Sequence, residues 1–268
     1  MTAQRLEGFD TMGIASADFI AGMAKGLAVL ESFDTERQRL NATLAAERAG
    51  LTRAAARRHL LTLAHLGYLE TDGSYFWLSS KVLRFSGSYL ASARLPRVIQ
   101  PTLNRLAAQT RQSFSAVVLD GDEGVIVARS GVHGAAGRLT AYGLHLGARL
   151  PAHATSTGRM LLAGLNASEL STWLRGRSLA RLTPQTTTQV GALRRLVAQA
   201  RRQDWCLASD EHELGVSALA VPLRDMAGKT VAALNVVVPD IRGADAPSLP
   251  PTLLPLLTEA AREMRALL

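Results

Sequence analysis

The sequence predicts an α+β protein of two domains: an N-terminal winged helix-turn-helix, a linker helix, and a larger C-terminal domain of antiparallel strands with helices packed on them. Three observations carry this. The 268 residues exceed one typical domain, which runs to roughly 100 to 200 residues, and suit two. Residues 17–79 follow the order helix, helix, short turn, helix, hairpin, the layout of a winged helix-turn-helix. Beyond Pro96 and Pro101, which punctuate the chain, strand-like runs are joined by short turns and interleaved with helical patterns, as in an α+β domain. The expected division is therefore 1–16, a flexible tail; 17–79, the winged helix-turn-helix; 80–95, the linker helix; and 96–268, the second domain.

Each element has its own signal. From Ala17 to Phe33 the residues Phe19, Ile20, Met23, Leu27, Leu30 and Phe33 recur at three- and four-residue steps, the periodicity of an amphipathic helix with its apolar stripe inward. Asp18 is its expected N-cap. A second helix, from about Thr43 to Ala49, closes at Gly50, where a left-handed residue is cheap. Thr52 caps a third helix that runs to about His65 and stops at Gly67, its hydroxyl receiving an early N–H. Tyr68–Glu70 and Tyr75–Leu78 flank Asp72-Gly73 and form a hairpin. Helices are expected over Ser80–Ala93 and Pro101–Gln109, strands over Phe114–Leu119 and Val125–Ala128, helices over Thr157–Leu165 and Gly191–Arg202, strands over Ala218–Leu223 and Thr230–Val238, and a terminal helix after the proline-rich Ala246–Pro255.

Composition excludes several classes. A hydrophobic fraction of 47% with 19% charged residues belongs to a folded chain, not to a disordered one or a coiled coil. The sole cysteine, Cys206, cannot form an intramolecular disulfide, and no secretory leader pattern is present, so a cytoplasmic location is expected. The apolar stretch Ile20–Leu30 is interrupted by Lys25, Gly22 and Gly26, too broken for a membrane span. The net charge of +8, from 30 Lys+Arg against 22 Asp+Glu, suggests a polyanionic partner.

The location of that charge is more informative than its total. From Arg48 to Leu69 the chain contains four arginines and no carboxylate, a local positive field suited to a phosphate backbone. Arg53 and Arg57 lie one turn apart on one face of the third helix. Arginines on a solvated helix are ordinary by themselves; combined with the helix-turn-helix spacing and the following hairpin they point to double-stranded DNA. In the major groove Thr52, Arg53, Ala54 and Ala55 would meet base edges, and Arg57 or Arg58 a base or phosphate. Lys81, and Arg84 after it, would hold the backbone or reach a minor groove.

The second domain offers no catalytic constellation. Asp210-Glu211-His212-Glu213 has metal-ligand residue types, but in an extended segment neighbours alternate sides and do not converge on one ion. A structural role suits them better. Cys206 reads as a small buried hydrophobe. No phosphate-binding loop or dinucleotide fingerprint is present, and no cofactor is called for. The segment from Pro151 through Arg159 precedes an apolar helix, so free N–H groups near Ser156, Thr157 and Gly158 would accept a carboxylate, unless the segment is simply a Ser/Thr cap.

Several segments together resemble a known family. Phe19–Leu30 is similar to the first helix of IclR-type transcriptional regulators, and Leu51–Arg58 to their recognition helix; Arg149–His153, Thr155–Arg159, Asp210–Gly215 and Ala232–Val236 are further matches. Within the family the chain looks most like the branch responding to protocatechuate, p-hydroxybenzoate and similar acids. The resemblance implies a GAF-like effector domain, assembly as a homodimer or a tetramer of two dimers, and a small-acid site matching Tyr142, Leu150, Ser156, Thr157, Ala218, Asn235 and Val237. The branch commonly has other residues where His153 and Thr157 stand, so these two are expected to tune the effector. Physical requirements agree: an aromatic acid needs an apolar slot, for which Tyr142, Leu150, Ala218 and Val237 qualify, and donors from Ser156, Thr157 or Arg159 for its carboxylate. Asn235 or His153 would bond a ring hydroxyl.

The expected function is thus a DNA-binding regulator set by a small aromatic acid, with the Ser80–Ala93 helix as lever. A regulator of a non-aromatic acid, an enzyme acting on a small acid, and an architectural DNA-binding protein are the alternatives.

Overall fold

The computed structural model describes Ala15 and residues 17–34, 37–130, 144–239 and 249–268. Apart from Ala15, the expected tail over 1–16 lies outside the described residues. The chain divides into two compact units, Met1–Tyr89 and Leu90–Leu268.

The first unit contains α1 (Ala21–Leu30), α2 (Ala42–Ala49), α3 (Arg53–His65), β1 (Leu69–Thr71) and β2 (Phe76–Leu78). α2 is capped by Asn41, whose side chain accepts from the N–H groups of Thr43 and Leu44 at 3.0 Å. It ends on Gly50 at φ 67°, a left-handed conformation that glycine adopts without strain. Thr52 Oγ1 accepts from Ala55 N at 3.2 Å and starts α3. β1 and β2 pair antiparallel, with Leu69 opposite Leu78 and Thr71 opposite Phe76, and a bridge between Leu40 and Phe76 joins the hairpin to the segment before α2. Val29, Phe33, Leu40, Leu60, Leu69 and Phe76 form the core, with alanines of α2 and α3 allowing close helix approach.

α1 is shorter than its periodicity suggests. It starts at Ala21 after Ile20, which provides no side-chain cap, while Asp18 sits in a preceding turn with its N–H donated to Ala15 O. The apolar stripe does not all face inward either: Val29 is buried, whereas Ile20, Met23 and Leu27 are exposed. The small core is already filled from the C-terminal end of the helix, including Ala28 and Leu30.

A 3₁₀ turn at Ser80–Val82 leads into α4 (Leu83–Ser92), within which the two units divide, and then α5 (Arg94–Thr110). Pro96 and Pro101 both lie within α5. Pro101 forgoes one backbone bond, but Ile99, Leu103 and Leu106 on the buried face hold the helix through it.

The second unit is built on a six-stranded antiparallel sheet in the order β5–β4–β3–β8–β7–β6. Its strands are β3 (Ser113–Asp120), β4 (Glu123–Ser130), β5 (Arg149–Pro151), β6 (Cys206–Ser209), β7 (Val216–Arg224) and β8 (Thr230–Pro239). Both faces are covered. Ile99, Leu103 and Leu106 of α5, with Leu257 and Met264 of α9 (Leu249–Arg265), pack on Phe114, Leu219 and Leu234. On the other face α6 (Ser156–Gly164), α7 (Ala167–Leu174) and α8 (Val190–Gln203) cover Val117, Ala220 and Ala233. The architecture is α+β. Among the described residues no helix is long and apolar enough to cross a membrane.

Candidate functional site

Two surfaces carry the functional chemistry, one in each unit. On α3 the side chains of Arg53, Ala54, Arg57 and Arg58 are exposed, as is Thr52 ahead of them, while Ala55 is half-buried and Ala56 and Leu60 anchor the opposite face. None of the three guanidinium groups has an ion pair or hydrogen bond among the described residues. The arginines nearby differ: Arg48 pairs with Asp34, and Arg39 pairs with Asp72 and lies over the rings of Tyr75 and Trp77. Burial, together with the cations Arg58 and Lys25, lowers the pKa of His59, so the imidazole senses the positive field. α3 therefore offers unpaired cations on one solvated face, the chemistry of a helix that reads DNA. Lys81 is disposed differently: its Nζ donates to Leu66 O at 2.7 Å.

In the second unit a cavity of about 620 Å³, counting its mouth, opens between the sheet and the N-terminal end of α6. Leu150, Ser156, Thr157, Ala218, Asn235 and Val237 all line it. The pairing explains the convergence: Ala218 is opposite Val237 on β7 and β8, and Asn235 is opposite Ser115 on β3, so alternate residues of neighbouring strands share one face. Tyr142 lies outside the described residues.

The polar groups in this cavity differ in how far they are satisfied. Thr155 caps α6, its Oγ1 accepting from Gly158 N at 3.1 Å, which takes Gly158 out of the expected set of free donors. The N–H groups of Ser156 and Thr157 precede the first intrahelical bond. Ser156 Oγ and Asn235 Oδ1 are buried with no hydrogen-bond partner among the described residues, Ser156 being 0% and Asn235 7% exposed. A buried polar atom without a partner is destabilising, by about 1 to 3 kcal/mol; two in one cavity mark a place for a ligand that bonds them.

Two sequence-based expectations are corrected. His153 does not line the cavity; its ring turns away, with Nε2 2.9 Å from Ala180 O. Arg159 is not available to an effector. It is 1% exposed, its Nε donates to His153 O at 3.0 Å, and its two terminal nitrogens donate to Glu211 at 2.6 and 2.5 Å. A buried guanidinium needs such a partner, and Glu211 supplies it. Glu211 also accepts from Thr187 N. Burial alone would raise its carboxyl, but Arg159 and the Thr187 N–H outweigh burial and hold it below the usual carboxylate range.

The segment after β6 is a chain of bends rather than extended. Asp210, at φ 59°, receives Gly215 N on Oδ1, and Thr183 and Thr186 hold the carbonyls of Asp210 and Glu211. Glu211, His212 and Glu213 consequently line the cavity, a role that alternation along a strand conceals. Burial lowers the His212 pKa and raises that of Glu213. Cys206 is buried beneath them, its thiol pushed up to about 11.

A winged helix-turn-helix followed by a domain with a mostly apolar cavity that holds a few buried polar groups defines a ligand-responsive transcriptional regulator. The family model for the IclR helix-turn-helix domain matches residues 22–73, and that for the bacterial transcriptional regulator IclR C-terminal region matches residues 87–266. The chain belongs to the IclR family of transcriptional regulators and is not an enzyme. It is 53% identical over 255 residues to the Pca operon regulatory protein of Acinetobacter baylyi, covering 95% of this chain and 91% of that protein. It is 51% identical to the p-hydroxybenzoate hydroxylase transcriptional activator of the same organism, covering 95% and 94%. Among solved structures, an IclR homolog from Microbacterium hydrocarbonoxydans complexed with 4-hydroxybenzoate is similar, with 30% identity, a TM-score of 0.70 and coverage of 91% of this chain and 98% of that one.

Proposed function

We propose that this regulator binds a hydroxylated aromatic monocarboxylic acid, of the p-hydroxybenzoate or protocatechuate type, and that occupancy of the cavity sets its affinity for operator DNA upstream of aromatic catabolic genes. The observation that carries this is the pair of buried groups without a partner among the described residues, Ser156 Oγ and Asn235 Oδ1, in a cavity whose apolar lining includes Leu150, Ala218 and Val237. The acid goes to the N–H groups of Ser156 and Thr157 at the positive end of α6, the ring to the apolar slot, and a ring hydroxyl to Asn235. His153, one residue from the cavity-lining Ala154, acts only through the backbone it positions. The names of the two Acinetobacter relatives and the ligand of the Microbacterium structure support the effector class.

Thr52, Arg53, Ala54, Ala55, Arg57 and Arg58 form the DNA-reading face. The assembly is a homodimer or a dimer of dimers, supported by apolar side chains left exposed in the first unit, Ile20 just ahead of α1, Met23 and Leu27 on α1, and Leu83, Phe85 and Tyr89 on α4. As a regulator of bacterial DNA it works in the cytoplasm.

Calorimetric titration of the intact protein with benzoate, 3- and 4-hydroxybenzoate and 3,4-dihydroxybenzoate tests the effector reading. A hydroxylated acid is expected to bind at least about tenfold more tightly than benzoate, the difference left by unpaired buried acceptors; absence of binding by every acid in the panel overturns it.

A further inference from the structure

The C-terminal end of α3 is fastened to the turn that follows the hairpin. Leu66 is the cap residue of α3, and its carbonyl accepts the 2.7 Å bond from Lys81 Nζ. The same ammonium lies 4.9 Å from the centre of the Tyr68 ring, and that ring stacks on Phe85 with 5.6 Å between centroids. Ser79 completes the junction: its Oγ donates to Gly67 O at 2.5 Å, its N–H donates to Tyr68 O at 3.0 Å, and its Oγ accepts from Lys81 N at 3.2 Å. Three successive carbonyls after α3, those of Leu66, Gly67 and Tyr68, are thus held by two residues just past the hairpin.

A lysine held ready for a phosphate leaves its ammonium without a partner in its own domain, as the arginines of α3 leave theirs among the described residues, whereas that of Lys81 is held by a carbonyl, in a bond exposed to solvent. Lys81 is folded back onto its own domain, with its charge at the negative end of the helix, where a cation is favoured. We infer that Lys81 is a positioning residue for operator recognition: it sets the attitude of α3 through the Leu66 carbonyl and does not contact DNA. This replaces the phosphate contact expected from sequence, and it rests on α3 being the helix that reads DNA.

The two roles leave different signatures. A lysine bound to a phosphate releases counterions, so its removal lowers the slope of log K against log salt by about 0.9. A lysine that positions the helix changes affinity without changing that slope. The experiment uses the full-length protein and a DNA duplex selected from a random pool by the wild type, with binding measured over a range of salt. Lys81→Met keeps the aliphatic stem against Gly67 and Tyr68 but removes the donor; Ser79→Ala removes the bond to Gly67 O and carries no charge in either form. Each is expected to weaken binding by about threefold to tenfold, the loss of one hydrogen bond, at the wild-type salt slope, and Lys81→Arg is expected to recover the affinity. A slope lowered by about 0.9 in Lys81→Met with wild-type affinity in Ser79→Ala, or wild-type affinity in both, overturns the inference. Arg53→Ala in the same assay separates this outcome from an error in assigning α3: wild-type affinity there removes the premise instead.

Discussion

At the scale of single residues, the partition of charge around the cavity decides its chemistry. Arg159 is spent on Glu211, and the pair is nearly sealed from solvent, with side-chain exposures of 1% and 13%. Breaking a buried pair from one side leaves the other charge stranded. Glu211→Gln is therefore expected to destabilise the fold at neutral pH by roughly 3 kcal/mol. The pH dependence follows from the depressed carboxyl. The unfolded chain takes up a proton near the ordinary value of 4.5 while the folded chain resists, so this contribution is complete above that value and is lost as pH falls through the lower folded one. Urea unfolding of wild type and variant should show the gap in stability at pH 7 narrowing at about pH 4 and below; a constant gap would contradict the assigned ion pair.

At the scale of elements, the N-terminus of α6 depends on one close approach. A Cβ on Gly158 would collide with the backbone of Ala152, whose 3₁₀ turn carries the chain from β5 into the helix. Backbone, unlike the end of a flexible side chain, cannot step aside. Gly158→Ala should cost about 3 kcal/mol in chemical unfolding and remove hydroxybenzoate binding, because the N–H groups of Ser156 and Thr157 shift with the helix. The boundaries of α2 and α3 are legible in the sequence because Gly50, Thr52 and Gly67 are local signals that act within a turn of the helix. Hairpin β1–β2 and the central strands are legible for the same reason. α5 is legible only over Pro101–Gln109; its start at Arg94 is not, since only packing explains why the helix runs through Pro101. β5 and β6, with three and four residues, are too short to show a period, and α7 lies between the recognised patterns. The Arg159–Glu211 pair spans 52 positions of sequence, beyond any spacing rule. The orientation of His153 is likewise set by a carbonyl distant in sequence, that of Ala180.

At the scale of the whole molecule, the charge of +8 is less telling than its distribution. Cations in the second unit are often paired internally, as Arg149 is with Asp120 and Glu123 and Arg224 with Asp204. The guanidinium groups of Arg53, Arg57 and Arg58 are not. Arg53→Ala with Arg57→Ala should lower operator affinity and reduce the salt slope by up to about 1.8, some 0.9 for each phosphate left without its arginine, while calorimetry finds effector binding at the wild-type level. Loss of both activities together would mean that the double variant disturbs more than the DNA-reading face.

The donors proposed for the acid of the effector, at the start of α6, belong to the main chain, and on that reading the way such a receptor diversifies is constrained. Side-chain substitution leaves an amide N–H in place unless the new residue is proline. Point mutation can thus exchange the partners of the ring one at a time, at positions such as Asn235 or Ala218, while the demand for an anionic head is inherited with the backbone itself. Descendants of this scaffold are expected to change which acid they answer to far more readily than they cease to answer to acids.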